Sequence, residues 1–257
     1  MEQERKKNKD VQLFCRDFYG KIGKAIYDFD LIQSGDNILV GVSGGKDSLA
    51  LLVTLAERAK SSKVPYKVYA AHIRSAVAEY ETDTTFLQEL CNSLGVELVL
   101  ETISVELEQG SKKPMCFVCA WNRRKKLFQI AKRLNCNKLA LGHHRDDAIT
   151  TLLMGMFFNG NISSMPASLS MFDEELHIIR PLIYLSEDEI RRFAKIRSFA
   201  EQVKRCKFEN ATNRKKVEEL IEQIEQYAPE VRDSLFASMR NIKSDYLPSP
   251  KIQLTEK

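Results

Sequence analysis

The sequence predicts an α/β fold, a mainly parallel sheet with helices on both faces and a helical C-terminal extension. Short strands alternate with helix-length segments from residue 37 to about 158. Several strands are apolar on both faces, as in sheets covered by helices on each side. The intervals are also too long for hairpins, so they demand right-handed crossovers.

An amphipathic helix is expected over 11–29, with Leu13, Phe14, Phe18, Ile22, Ala25, Ile26 and Phe29 spaced by three and four. After the Ser34-Gly35-Asp36 turn, Asn37 to Ser43 (NILVGVS) reads as a short buried strand. A helix at 47–60, a strand at 67–74, a helix at 78–94 and a strand at 96–103 follow. The next helix is expected from Cys119 to Leu134, then a strand at 138–143 and a helix at 146–158. From Ser186 the chain turns helical: SEDEIRRFAKI opens on a Ser-capped acidic first turn, and helices are expected at 215–227 and 231–242. The expected organisation is thus an N-terminal helical segment (1–34), an α/β domain (35–185), a helical region (186–247) and a disordered tail (248–257).

At 257 residues, with 44% apolar and 29% charged side chains, the composition is that of a folded soluble protein. No apolar run approaches the roughly 20 residues of a membrane span, so no membrane partner is expected. The polar N-terminus lacks a signal-like apolar core, and six cysteines are too sparse for a disulfide scaffold. A reducing, cytoplasmic location is expected, where closely spaced cysteines bind metal or do chemistry. The net charge of +4 is unevenly placed, because residues 109–145 hold ten of the 39 Lys/Arg and no acid, leaving 29 basic against 35 acidic residues elsewhere. Such a band suits either a polyanion or a solvated helix face.

Gly41-Val-Ser-Gly-Gly-Lys-Asp-Ser48 sits where the first strand hands over to its helix. Paired glycines allow a tight turn that brings N–H groups to a ligand, and the helix N-terminus adds positive partial charge. With the Ser43 and Ser48 hydroxyls and the Lys46 ammonium, the loop suits a phosphate. It is neither a Walker A loop nor a G-x-G-x-x-G turn. A second strand ends in Gly142-His143-His144-Arg145-Asp146-Asp147, where two carboxylates can cap a helix or hold Mg²⁺. Cys116-Phe-Val-Cys119 precedes the basic helix, and Cys206 lies among Lys204, Arg205 and Lys207. Three thiolates could hold three irons of a cubane cluster and leave the fourth open. Cys15, Cys91 and Cys136 read as small packed residues.

The loop resembles that of the PP-loop ATP-pyrophosphatase superfamily, which has an adenine-nucleotide alpha-hydrolase-like fold of the HUP/Rossmann type. SGGKDS, C-x-x-C followed by Asn-Arg-Arg, LGHHRDD, Ile178-Ile-Arg-Pro-Leu182 and the late cysteine are together similar to the tRNA 2-thiocytidine synthetase family. Where that family carries a second late cysteine, this chain has Glu209. The resemblance implies an ATP-dependent tRNA sulfurtransferase that adenylates O2 of cytidine 32 in the anticodon loop and replaces it by sulfur, with ATP, Mg²⁺ and a 4Fe-4S cluster. It implies ATP binding by Ser43, Gly44, Gly45, Lys46, Asp47 and Ser48, with His72, Gly142 and His143 beside them. Cys116, Cys119 and Cys206 would bind the cluster, Asp146 and Asp147 the Mg²⁺, and Asp47, Asp147 and Arg123 would act in catalysis. Lys112, Lys113, Arg123, Arg124, Lys125, Lys126, Lys132 and Arg133 would follow tRNA phosphates, with Phe117 and Trp121 either stacking on bases or packed in the core. The expected partners are tRNA, a sulfur donor such as a cysteine desulfurase, and a second copy in a homodimer. Competing readings are a tRNA lysidine synthetase-like ligase, which gives no role to the C-x-x-C, a 2-thiouridine synthetase, whose zinc-finger pairs are missing, and a catalytically silent RNA-binding module.

Overall fold

The computed structural model describes residues 2–75, 82–104, 115–199 and 213–247. Its sheet has six strands: β1 (Asn37–Gly41), β2 (Lys67–Ser75), β3 (Glu97–Ile103), β4 (Lys138–Ala140), β5 (Ser168–Met171) and β6 (Leu176–Ile179). Their order is β3-β2-β1-β4-β6-β5, parallel throughout except for the antiparallel β5–β6 pair. The expected α/β architecture is present, extended by a hairpin that residue pattern did not reveal. β5 reads Ser-Leu-Ser-Met and is half exposed at the sheet edge, so it lacks the continuous apolar run that marks the inner strands.

The eight helices among the described residues are α1 (Glu2–Asp28), α2 (Lys46–Ser61), α3 (Thr84–Leu94), α4 (Met115–Arg133), α5 (Arg145–Asn159), α6 (Glu187–Ile196), α7 (Asn213–Glu225) and α8 (Val231–Ser238). α1 starts well before the expected residue 11, since its first turns are polar and carry no apolar periodicity. The first turns of the helix expected at 78–94, and the tail from 248, lie outside the described residues. No described helix is long and apolar enough to cross a membrane.

Packing follows the apolar faces. α2 buries nine consecutive residues, Ser48 to Ala56, against β1, α1, α3 and α6. Phe18 of α1 stacks on Phe193 of α6 with ring centroids 4.2 Å apart and planes 5° from parallel. The other sheet face is closed by α4, whose Ile130 and Ala131 meet Leu39, Ala71, Leu139 and Ile178. α7 and α8 pack on α5 through Val217, Ile221, Ile149 and Leu153.

Chain order reverses between β1 and β4: β2 and β3 follow on one side, β4 and β6 on the other. Such a switch point opens a crevice at the carboxyl ends of the two central strands, where doubly wound sheets bind ligands. Phe193→Ala removes the partner of a fully buried ring stack and should destabilise the protein by about 3–5 kcal/mol. A urea unfolding curve with an unchanged slope and a lower midpoint is the expected readout.

Candidate active site

The loop after β1 turns through Gly44, whose φ of +88° lies in the left-handed region that favours glycine. Its conformation is held internally: Ser43 N–H donates to Ser48 Oγ (3.1 Å), Gly45 N–H to Ser43 Oγ (3.2 Å), and Ser48 Oγ–H to Gly45 O (2.9 Å). Gly45 is the N-cap of α2 and offers no side-chain cap, so the first N–H groups of α2 face the crevice without one. This is the arrangement a phosphate completes. Lys46 Nζ lies 3.1 Å from Asp47 Oδ1 and 3.2 Å from Glu187 Oε1. Burial disfavours its charge, but the two carboxylates outweigh that and raise its pKa.

The strand beside the loop is brought unusually close. A Cβ on Gly142 would stand 3.0 Å from Asp47 C and Ser48 N, so only glycine lets the end of β4 pass the first turn of α2. His72, in the second half of β2, has Nδ1 2.7 Å from Val42 O, and burial lowers its pKa, with Arg123 and Arg74 adding to the effect. His143 is pushed down to about 4, first by burial and then by Arg180, Arg214 and Arg124, against the pull of Asp147.

The two acids of α5 point to different partners. Asp147 Oδ2 accepts from His144 N–H at 2.9 Å, and its Oδ1 pairs with Arg214 of α7. Burial raises its pKa, but His144 and Arg214 overcome this and lower it. Asp146 Oδ2 accepts from Glu187 N–H at 2.6 Å, while Oδ1 lies 3.5 Å from Arg232 of α8. Asp47 Oδ1 and Asp147 Oδ2 approach the same atom, His144 Nε2, at 4.0 and 3.4 Å. Asp47 Oδ1 and Asp146 Oδ1 are both buried without a hydrogen bond, each facing a cation, Lys46 at 3.1 Å and Arg232 at 3.5 Å. Asp47 and Asp147 thus face one another across His144, each already paired with a cation, Lys46 and Arg214 respectively, while Asp146 is turned toward the C-terminal helices. No group of three or more His, Cys, Asp or Glu poised for a metal occurs among the described residues.

α4 begins at Met115, so Cys116 and Cys119 both lie within its first turns rather than before it. Cys119 is half-buried with Sγ 3.6 Å from Ser75 Oγ, at the carboxyl end of β2. Cys206, Lys112 and Lys113 lie outside the described residues. Cys91 and Cys136 are buried and Cys15 partly so.

The basic band divides. Arg123 bears on His72, whereas the next residue, Arg124, bears on His143 and Arg180. Lys126 and Arg133 each pair with Glu101 of β3 at 2.9 Å. Lys125 stacks over Trp121, 5.3 Å from the ring centre. Phe117 and Trp121 are more than half exposed, so neither is core. Lys125 and Lys132 also line a cavity of about 580 Å³ with Phe128, Cys136 and Phe172, at the opposite, amino end of β4 and β6. Arg180 lies in the Ile178–Leu182 run without an expected role, and three further participants had no local sequence signal: Glu187, Arg214 and Arg232 come from distant segments, and Glu187 reads simply as part of an acidic helix cap.

The model of the PP-loop domain family matches residues 16–216. The tRNA-cytidine(32) 2-sulfurtransferase of Pelobacter propionicus is 36% identical over 238 residues, covering 90% of this chain and 88% of that one. The protein of the same name from Sorangium cellulosum is 36% identical over 231 residues, covering 88% and 81%. Among solved structures, the U34-tRNA thiolase NcsA from Methanococcus maripaludis, determined with its 4Fe-4S cluster, superposes with a TM-score of 0.73 over 93% of this chain and 82% of that one, at 22% identity. That likeness concerns the fold.

Two outcomes follow from this geometry. Gly142→Ala should push the loop off α2 and weaken ATP binding roughly tenfold, at an overpacking cost of about 1–3 kcal/mol in stability; titration calorimetry and thermal melting read both. His143 is held neutral, so the unfolded chain binds its proton more readily, and stability should fall as pH drops from 6.5 toward 4. His143→Gln should flatten that part of the stability–pH curve.

Proposed function

The chain belongs to the PP-loop domain family and, within it, to the tRNA-cytidine(32) 2-sulfurtransferases, and on that premise we propose how its residues carry out ATP-dependent 2-thiolation of cytidine 32. The observation that carries the reading is the junction of the phosphate loop, Gly142 and the Asp47–Asp147 pair at one switch point, with Cys119 at the next strand end.

ATP phosphates sit on the α2 N-terminus, where Lys46 and loop N–H groups neutralise them. Asp47 and Asp147 would hold Mg²⁺ between them, since their carboxylates converge on His144 and the ion would take the place of Lys46 and Arg214 as their cationic partner. Oxygen ligands of this kind suit Mg²⁺, which keeps much of its water and the substrate phosphates as remaining ligands. Asp146 instead anchors α6 and α8.

The cytosine O2 attacks the α-phosphate and pyrophosphate leaves, turning a poor oxygen leaving group into AMP. Arg123, one turn beyond Cys119, acts on His72 as a positive charge and would stabilise negative charge developing there. Cys116, Cys119 and Cys206 would hold a 4Fe-4S cluster, which when bound supplies the site for the incoming sulfide. Cys119 fits a ligand role by its half-buried position at a helix start.

Exposed Phe117 and Trp121 beside Arg124 and Lys125 form the surface that would meet a splayed anticodon loop. Lys126 and Arg133 share Glu101, so their pull on tRNA is weaker than their charge suggests. The reading includes a sulfur donor of the cysteine desulfurase kind, a homodimer and a cytoplasmic location.

Anaerobic purification should give a brown protein with about four irons per chain. Cys206→Ala should lose the colour, and a colourless, zinc-containing preparation of the parent would contradict the cluster. Asp47→Ala should slow tRNA-dependent pyrophosphate release roughly a hundredfold or more while the fold persists by circular dichroism.

A further inference from the structure

The active edge carries a buried arginine outside the ion pairs of the described residues. Arg180 follows β6 directly and is only 7% exposed. One of its terminal nitrogens donates to Pro166 O at 2.5 Å, but its Nε is buried with no hydrogen-bond partner. Its backbone is fixed, since Arg180 N–H donates to Ala167 O at 2.8 Å, and the adjacent Ile179 O accepts from Leu141 N–H at 3.0 Å. Arg180 therefore leaves the sheet two strands over from the phosphate loop, beside the strand that ends in Gly142-His143. Arg124 of α4 acts on it as a like charge, and Asp147 as an opposite one. His143, whose Nδ1 is also buried and unpartnered, feels Arg124, Arg180 and Arg214 together.

The nearby acids are engaged elsewhere. Arg214 pairs with Asp147 and Glu218, and Asp146 is held by Arg232 and Glu187 N–H. Neither Arg124 nor Arg180 makes an ion pair among the described residues. Arg180 keeps a buried, unused N–H, while Asp147, the carboxylate that acts on Arg180, is itself paired with Arg214; the two arginines form a fork suited to a tetrahedral oxyanion.

We propose that Arg180 and Arg124 hold a phosphate group at the carboxyl edge of β4 and β6, beside His143. The anion is either a phosphate of the nucleotide or a phosphodiester of the tRNA. Only this choice of sources rests on the function proposed above. The site itself stands on the buried, unpartnered Nε of Arg180 and Nδ1 of His143.

The test measures equilibrium binding of ATP, and separately of an unmodified anticodon stem-loop transcript, to the full-length parent protein and to Arg124→Gln, Arg180→Gln, Arg180→Lys and the double glutamine variant. Arg124→Gln and Arg180→Gln should each weaken the same ligand roughly tenfold or more. The double variant should be little weaker than either single one, because both act on one anion. Arg180→Lys should recover part of the loss by keeping the charge without the fork. A loss confined to ATP assigns the anion to the nucleotide. A loss confined to the RNA, with the salt dependence of binding reduced by about one phosphate, assigns it to the tRNA backbone.

Unchanged affinity for both ligands in Arg124→Gln, an exposed position expected to fold, would overturn the proposal. So would a loss in Arg180→Gln alone accompanied by a lower melting temperature, since Arg180 would then serve packing. These readouts involve no thiolation, so failure of the proposed reaction would leave them standing.

Discussion

The backbone contact between Gly142 and the first turn of α2 is the constraint on which the site depends. A methyl group there would stand 3.0 Å from two backbone atoms, so the end of β4 and the phosphate loop are held at a separation that only glycine permits. That contact brings His143 and His144 over the loop. It also sets the start of α5, and hence Asp147, opposite Asp47. The open N-terminus of α2 and the acid pair therefore become one site rather than two neighbouring helix starts.

Around that contact, charge is tied together from remote parts of the chain. Asp147 is fixed by Arg214 of α7, Asp146 by Arg232 of α8, and Lys46 by Glu187 of α6. The C-terminal helices therefore do more than cover apolar surface: they direct both acids and help keep Asp147 ionised. Burial would push Asp147 toward its neutral form, and the paired cations keep it ionised. The segment just before Arg214 contains Cys206, so the helix that orients the acid is also covalently next to the proposed cluster ligand.

Much of this was legible in the sequence because it is local. The phosphate loop, the HHRDD turn and the C-x-x-C each declare themselves within eight residues at a strand end or helix start. The inner strands were visible as continuous apolar runs, whereas β5 was not, being a half-exposed edge. The basic band was visible as composition but not as geometry. A run of cations on a helix points in several directions, and here Arg123, Arg124 and Lys126 face three different neighbours. Arg180 sat in the Ile178–Leu182 run without an assigned role, because its buried, unsatisfied Nε is a property of tertiary packing.

The central claim is that this edge thiolates cytidine. Its most direct test is mass spectrometry of tRNA nucleosides from a parent strain, a deletion strain, and the deletion strain carrying either the parent gene or the Asp47→Ala variant. The account predicts 2-thiocytidine in the parent and the complemented strain, and none in the deletion or Asp47→Ala strains. Equal 2-thiocytidine in parent and deletion strains, or its absence from the parent, would contradict it.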